Sequence, residues 1–193
     1  MRWPTAGTGE LMDEAYPNLS IDFGDRDEQW FERLCGDLDL AQQDRARFHY
    51  ATIADALVSE IEALMGWALI AYDVAGGEHG FGLVDTEPTI ESGFIQPQFY
   101  VGRCRLDFML NWASHDPHIC LAVECDGRDY HSSPRARQRD RRRDGFLSSR
   151  GVQVMRFPGA EIFKNPLGCA AAAYSRLHEI RMNGQRCNEG VFR

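Results

Sequence analysis

The sequence predicts an α/β fold, a central mixed β-sheet flanked by α-helices. Three observations carry that expectation. Residues 51–72 place Ile53, Leu57, Ile61, Leu64, Ala68 and Leu69 at helical spacing. Residues 94–126 hold short apolar runs broken at Gly102 and around 113–117, the pattern of consecutive strands. Beyond Gly127, two segments that open with proline read as helices, with one more short apolar run between them.

The elements follow in order. Residues 1–26 are rich in Gly, Pro and acids, lack a period and read as a loose arm. A short helix is expected over Asp27–Cys35, with Trp30, Phe31 and Leu34 on one face, and another over Leu40–His49. The helix over 51–72 is apolar on nearly all sides from Ile61 onward, which predicts burial. Residues 74–93 are glycine-rich and acidic, a long loop or weak hairpin. Strands are expected over Phe94–Val101, Arg103–Leu110 and Ile119–Asp126, with Ala113–Pro117 as a turn. Ser133 caps a helix that starts at Pro134 and stops at Gly151. Val152–Phe157 is a strand, and Asn165 caps a last helix from Pro166 to about Met182. The predicted organisation is an acidic N-terminal extension with short helices (1–50), a main domain (51–182) and a C-terminal tail (183–193).

A chain of 193 residues, 44% apolar, suffices for one domain with a full core. No apolar run approaches the ~20 residues that span a bilayer, and no charged-then-apolar leader opens the chain. A soluble, cytoplasmic protein without a membrane partner is expected. The six cysteines include no CxxC pair. In a reducing compartment Cys104, Cys120 and Cys125 read as small buried hydrophobes, without a disulfide framework. Cys120 and Cys125 fall on opposite faces of one strand, which disfavours a zinc site shared with His115 and His118.

Net charge is −8, and −6 of it lies in residues 1–50. Residues 51–193 carry only −2, with Arg135, Arg137, Arg139, Arg141, Arg142, Arg143 and Arg150 in one stretch. A local basic stripe attracts phosphate even on an acidic protein. Arg135, Arg139 and Arg142 are the candidate nucleic-acid contacts, although a solvated, salt-bridged helix would read the same way. The acidic extension is the candidate surface for a homodimer or a protein partner.

The chemistry centres on acids. Side chains alternate along a strand, so Glu124 and Asp126 point the same way at the end of an apolar run. Asp107 lies on the preceding strand and, in a hairpin, sits beside Glu124, since paired strands lie ~4.8 Å apart. Glu62 stands among Ile61, Leu64 and Met65 in the most apolar helix. Taken singly, each acid has an ordinary explanation: Asp126-Gly127 is a good turn pair, and a lone helical Glu is usually solvated. Together they predict a shared divalent cation, because buried carboxylates without a partner cost several kcal/mol. Arg156 alternates with Val152 and Val154, so it needs an anion, with Asp140 one candidate.

Several stretches then resemble one family. Arg105-Leu106-Asp107-Phe108, Glu124-Cys125-Asp126-Gly127 with His131 after it, Asp140, Arg143 and Leu147 before Gly151, and Val154-Met155-Arg156-Phe157 follow one another in order. Ser59-Glu60-Ile61-Glu62 precedes them. This set resembles the PD-(D/E)XK, restriction-endonuclease-like nucleases, in the branch of very-short-patch-repair and related homing endonucleases. The resemblance spans residues 94–177 and implies a restriction-endonuclease-like core over 51–182. It implies a Mg²⁺-dependent endonuclease, with Mn²⁺ as a substitute, that hydrolyses phosphodiester bonds in nucleic acid, DNA above all. Asp107, Glu124, the Cys125 carbonyl and Glu62 would serve the metal, and Glu62, Asp107, Glu124, Asp126 and His131 the catalysis. Asp126 occupies the slot where the superfamily usually has Lys. The general-base role then passes to Asp126, His131 or a water ionised by the metal, the last being favoured. The alternative is an inactive nuclease-fold module that binds nucleic acid or a protein.

Overall fold

A computed structural model describes residues 25–76, 95–112, 116–126 and 134–192. Two helices, α1 (Asp25–Cys35) and α2 (Leu40–Ala54), lead into α3 (Glu60–Val74). Asp39 starts α2 with a reciprocal cap: its carboxylate accepts from Gln42 N at 2.8 Å, and the Gln42 side chain accepts from Asp39 N at 3.1 Å. The apolar repeat over 51–72 had predicted one helix, but the chain breaks it at residues 55–59. Ala56 and Leu57 close turns onto Ile53 and Ala54, and Ser59 then caps a new helix by accepting from Glu62 N. Helical spacing persists across the break because both helices pack on the same core.

Strands β1 (Ile95–Val101), β2 (Cys104–Trp112) and β3 (Asp116–Asp126) follow, then α4 (Pro134–Ser149) and β4 (Gln153–Pro158). The sheet order is β1-β2-β3-β4, with antiparallel pairs β1–β2 and β2–β3 and a parallel β3–β4 pair. A parallel pair needs a crossover, and α4 supplies it. The expected mixed sheet flanked by helices is therefore present. The predicted turn overlaps β3, which already starts at Asp116; residues 113–115 lie outside the described residues, as do 77–94, which hold most of the expected loop or hairpin, Ser133 and residues 1–24. A short helix, α5 (Gly159–Lys164), was not predicted. The last helix, α6 (Pro166–Met182), begins as expected, with the Asn165 side chain accepting from Gly168 N. A 3-10 turn at Glu189–Phe192 ends the chain's regular structure.

Burial divides between the two faces of the sheet. The larger cluster joins Phe31, Tyr50, Trp67, Leu69, Phe108, Leu110, Val123 and Tyr174 from α1, α2, α3, α6 and one face. Tyr50 stacks on Trp67 with ring centres 3.8 Å apart, and Phe31 meets Trp67 edge-on. Phe31, Leu34, Cys35, Ala46 and Tyr50 of the predicted extension thus share a core with the sheet. The smaller cluster holds Leu106, Met109, Cys120, Ala122, Leu147, Val152, Cys187 and Val191 on the opposite face, beneath α4 and the C-terminal segment. No helix among the described residues is long and apolar enough to cross a membrane.

Candidate functional site

Glu62 owes its position to the helix break. It is the third residue of α3, and its carboxylate reaches back over the two residues that precede the helix. Oε2 accepts from Val58 N at 3.1 Å and Oε1 from Ser59 Oγ at 3.1 Å. A further donor arrives from the sheet: Gln98 Nε2 on β1, at 2.7 Å from Oε2. Glu62 is buried, with 6% of its surface exposed. The close passage of α5 fits the same corner: a Cβ on Gly159 would lie 2.7 Å from Ile61 Cδ1 and 3.2 Å from the Asp126 carbonyl oxygen.

Asp107 lies on β2 where the strand faces swap. Phe108 and Leu110 enter the larger core, yet Leu106 enters the smaller one. Strict alternation would send Leu106 and Phe108 to one side. The pairs Pro97↔Phe108 and Phe99↔Leu106 bracket Gln98 on β1, whose φ is 50°. A non-glycine residue in that left-handed region costs on the order of 1–2 kcal/mol. Gln98 Oε1 is buried and has no hydrogen-bond partner among the described residues. Sequence reasoning missed Gln98; its signal was a glutamine on each side of Pro97 inside an apolar strand.

The Asp107 carboxylate accepts from Cys125 N at 2.8 Å, one residue past the Phe108↔Val123 pair of the β2–β3 ladder. Burial pushes its carboxyl above the usual range, and the nearby charges of Glu62 and Glu124 push the same way; the Cys125 N–H and Arg105 oppose this. Three acids therefore feel one another at the end of β2 and β3.

Glu124 has other partners as well. It pairs in register with Arg156 on β4. Arg156 Nε lies 3.2 Å from Glu124 Oε2, and its guanidinium also grips Asp144 at 2.6 Å. The anions on Arg156 are thus Glu124 and Asp144, a correction to the expectation of Asp140. From α4, Arg143 clasps Glu124 with both terminal nitrogens, Nη1 at 2.7 Å from Oε2 and Nη2 against Oε1. Arg143 Nη2 also donates to the Arg105 carbonyl at 2.8 Å. Such forked pairs are among the stronger charge-assisted contacts. Asp126 is half-buried; burial raises its carboxyl, Arg156 and Arg143 lower it, and Glu124 and Asp140 raise it.

The predicted acids thus reach one corner, but they do not converge on a single point. Among the described residues, no three His, Cys, Asp or Glu side chains form a group that could hold a metal ion. Cys125 is half-buried, and burial raises its thiol strongly. His131 lies outside the described residues, and so does the side chain of Arg135. Arg139 and Arg142 are exposed on α4, open to a large anionic partner. A hollow of about 380 Å³ lies elsewhere, lined by Trp30, Tyr50, Leu57 and Glu60, and none of the predicted acids lines it.

Two observations fit a divalent cation here. The donors are all oxygens, the set hard cations prefer. The mutual repulsion that raises Asp107 is one that a cation would offset. The arrangement described spends Glu124 on arginines instead, so accepting a cation requires Arg143 to let go. Its side chain is about one-quarter exposed, which leaves it a route to solvent.

Residues 90–177 match the model of a restriction-endonuclease-like family, REase_MTES_1575. The matched stretch contains Gln98, Asp107, Glu124, Asp126, Arg143 and Arg156, and excludes Glu62. It supports a restriction-endonuclease-like nuclease family and does not single out the very-short-patch-repair branch. No curated protein and no solved structure matches the chain.

Proposed function

We propose that this chain is a metal-dependent endonuclease that hydrolyses phosphodiester bonds in DNA, using Mg²⁺ with Mn²⁺ as a substitute. The family match supports nuclease activity. The observation that carries the finer reading is the half-buried Asp107, whose carboxyl is raised by burial and then by Glu62 and Glu124 at the end of two paired strands. A cation would be held by Asp107, Glu124 and the Cys125 carbonyl, with Glu62 beside them. Bound there, it would lower the pKa of water and offset charge developing on the phosphate.

The chain's own residues do the rest. Ser59, Val58 and Gln98 fix the Glu62 carboxylate, so it needs no reorganisation to orient a water. Asp126, in the slot usually held by Lys, has a raised carboxyl and accepts a proton more readily than an ordinary aspartate. Arg143, once released from Glu124, offers a planar fork of donors to the phosphate, while Arg156 keeps its hold on Asp144. Arg139 and Arg142 contact the backbone of the nucleic acid. A cytoplasmic location and kinship with the very-short-patch-repair branch go with this reading.

A second reading is a nuclease-fold module that binds nucleic acid or a protein without cutting it. The arginine clasp on Glu124 favours it, as does Asp126 in place of Lys. Cleavage of supercoiled, linear and single-stranded DNA and of RNA, in Mg²⁺ and in Mn²⁺, separates the two. The enzyme reading requires product from the wild type and none from Asp107→Ala. Equal inertness of both proteins on every substrate would sink it.

A further inference from the structure

We infer that Cys120 and Cys187 form an intramolecular disulfide when the chain meets a disulfide oxidant, fastening the C-terminal segment to the sheet. The inference does not depend on the nuclease reading. None of the six cysteines is joined in a disulfide in this structure. Cys120 lies on β3 and Cys187 beyond α6, 67 residues apart, with their sulfurs at 2.7 Å. Both are buried in the smaller core cluster. A disulfide holds its sulfurs about 2.0 Å apart. Closure therefore asks for less than about 1 Å of movement.

The C-terminal segment is seated, so this proximity belongs to the fold. Asn188 N donates to the Arg150 carbonyl at 2.8 Å, and Asn188 Nδ2 to the Ser149 carbonyl at 3.2 Å. Gln153 Nε2 donates to Gln185 Oε1 at 2.7 Å. Gly151 has a φ of 76°, and a Cβ there would lie 2.5 Å from the Arg186 carbonyl oxygen and 2.9 Å from Cys187 Cα. Only a residue without a side chain lets the segment approach so closely. The fold thus spends a glycine to bring Cys187 beneath the sheet.

The chemistry balances by thiol–disulfide exchange. Residues 184–186 and Asn188 are exposed, so local fraying of the segment presents Cys187 to solvent. The Cys187 thiolate attacks glutathione disulfide, forming a mixed disulfide and releasing one glutathione. Partial redocking brings Cys120 beside it while water still reaches both sulfurs. Cys120 loses its proton and attacks the Cys187 sulfur, and the second glutathione leaves. In sum, two protein thiols and one glutathione disulfide become one protein disulfide and two reduced glutathiones. In the docked state, the contact with Cys187 and burial hold the Cys120 thiol far above its usual range, so exchange waits on the opening.

The test uses the full chain, equilibrated under native conditions with glutathione disulfide, then alkylated and mapped by peptide mass. The expected product is a single cross-linked peptide pair joining Cys120 to Cys187, with the other four cysteines alkylated. The oxidised chain should melt roughly 5–15 °C higher than the reduced one, from closure of a loop of this size, and dithiothreitol should reverse the shift. Cys187→Ser should show no shift in the same oxidant. The peptide map needs only the wild type, so a variant that fails to fold leaves the test intact. Alkylated Cys187 in the oxidised chain, or a cross-link that joins other cysteines, overturns the inference.

Discussion

Replacing Arg143 by alanine tests the contact that most constrains the proposed site. Arg143 clasps Glu124 with two nitrogens and also holds the Arg105 carbonyl. The Glu124 side chain is 9% exposed and that of Arg143 26%. Breaking a fully buried ion pair costs roughly 3–5 kcal/mol, because one charge stays behind without a partner. An exposed pair is worth about 1 kcal/mol or less. This pair lies between the two, and Arg156 keeps one contact with Glu124. A loss of about 2 kcal/mol follows, which for a chain of this length lowers the melting temperature by roughly 4–8 °C. Thermal unfolding in metal-free buffer measures it. Adding Mn²⁺ then separates a plain structural role from competition. If guanidinium and cation share Glu124, Mn²⁺ stabilises Arg143→Ala more than it stabilises the wild type. A metal-free melting temperature within about 1 °C of wild type would refute the clasp. Equal Mn²⁺ shifts in both proteins would refute the competition.

The raised Asp107 carboxyl makes a pH prediction. In the folded chain Asp107 holds its proton more tightly than in the unfolded chain, whose value is near 3.8. Its contribution to stability is therefore complete below that value and is lost as pH rises through the folded pKa. Asp107→Asn removes the dependence while its amide oxygen still accepts from Cys125 N. In metal-free buffer, the wild type should lose melting temperature relative to Asp107→Asn as pH rises above about 4. A gap that stays constant as the pH is raised would refute the assignment. At position 98 the contrast between glycine and alanine isolates backbone strain, since both lose the bond to Glu62. Gln98→Gly should be more stable than Gln98→Ala by about 1 kcal/mol, read by urea unfolding, and equal stability would deny the left-handed conformation. Arg139→Ala and Arg142→Ala should each weaken DNA binding across sequences and lower its salt dependence by about one phosphate contact. Fluorescence anisotropy at several salt concentrations checks this, and unchanged slopes would remove α4 from the interface.

Patterns one strand or one helix long were legible without coordinates. The apolar run ending at Asp126, the Asn165-Pro166 start of α6 and the stop at Gly151 all depend on neighbours along the chain, so local chemistry suffices to read them. Glu124 and Asp126 could be placed on one strand face for the same reason, and Asp107 one strand away by the turn expected at Ala113–Pro117. The capping signal in Ser59-Glu60-Ile61-Glu62 was also present, yet the continuous apolar spacing concealed the break it marks. Both helices bury their faces in one core, so the spacing runs on while the backbone does not.

Other features had no local signature. The reversal of faces at Asp107 sits opposite Gln98, whose left-handed backbone belongs to the neighbouring strand. The choice of Glu124 and Asp144 as anions for Arg156 follows from the parallel β3–β4 register and from α4 crossing above it. The seat of Cys187 beneath β3 required the chain to return across 67 residues. Sequence alone determined which residues carry charge and which faces are apolar, because those are properties of single residues and short periods. Only the tertiary structure decided which charges meet, because strand register and helix crossing set the distances on which every Coulomb energy depends.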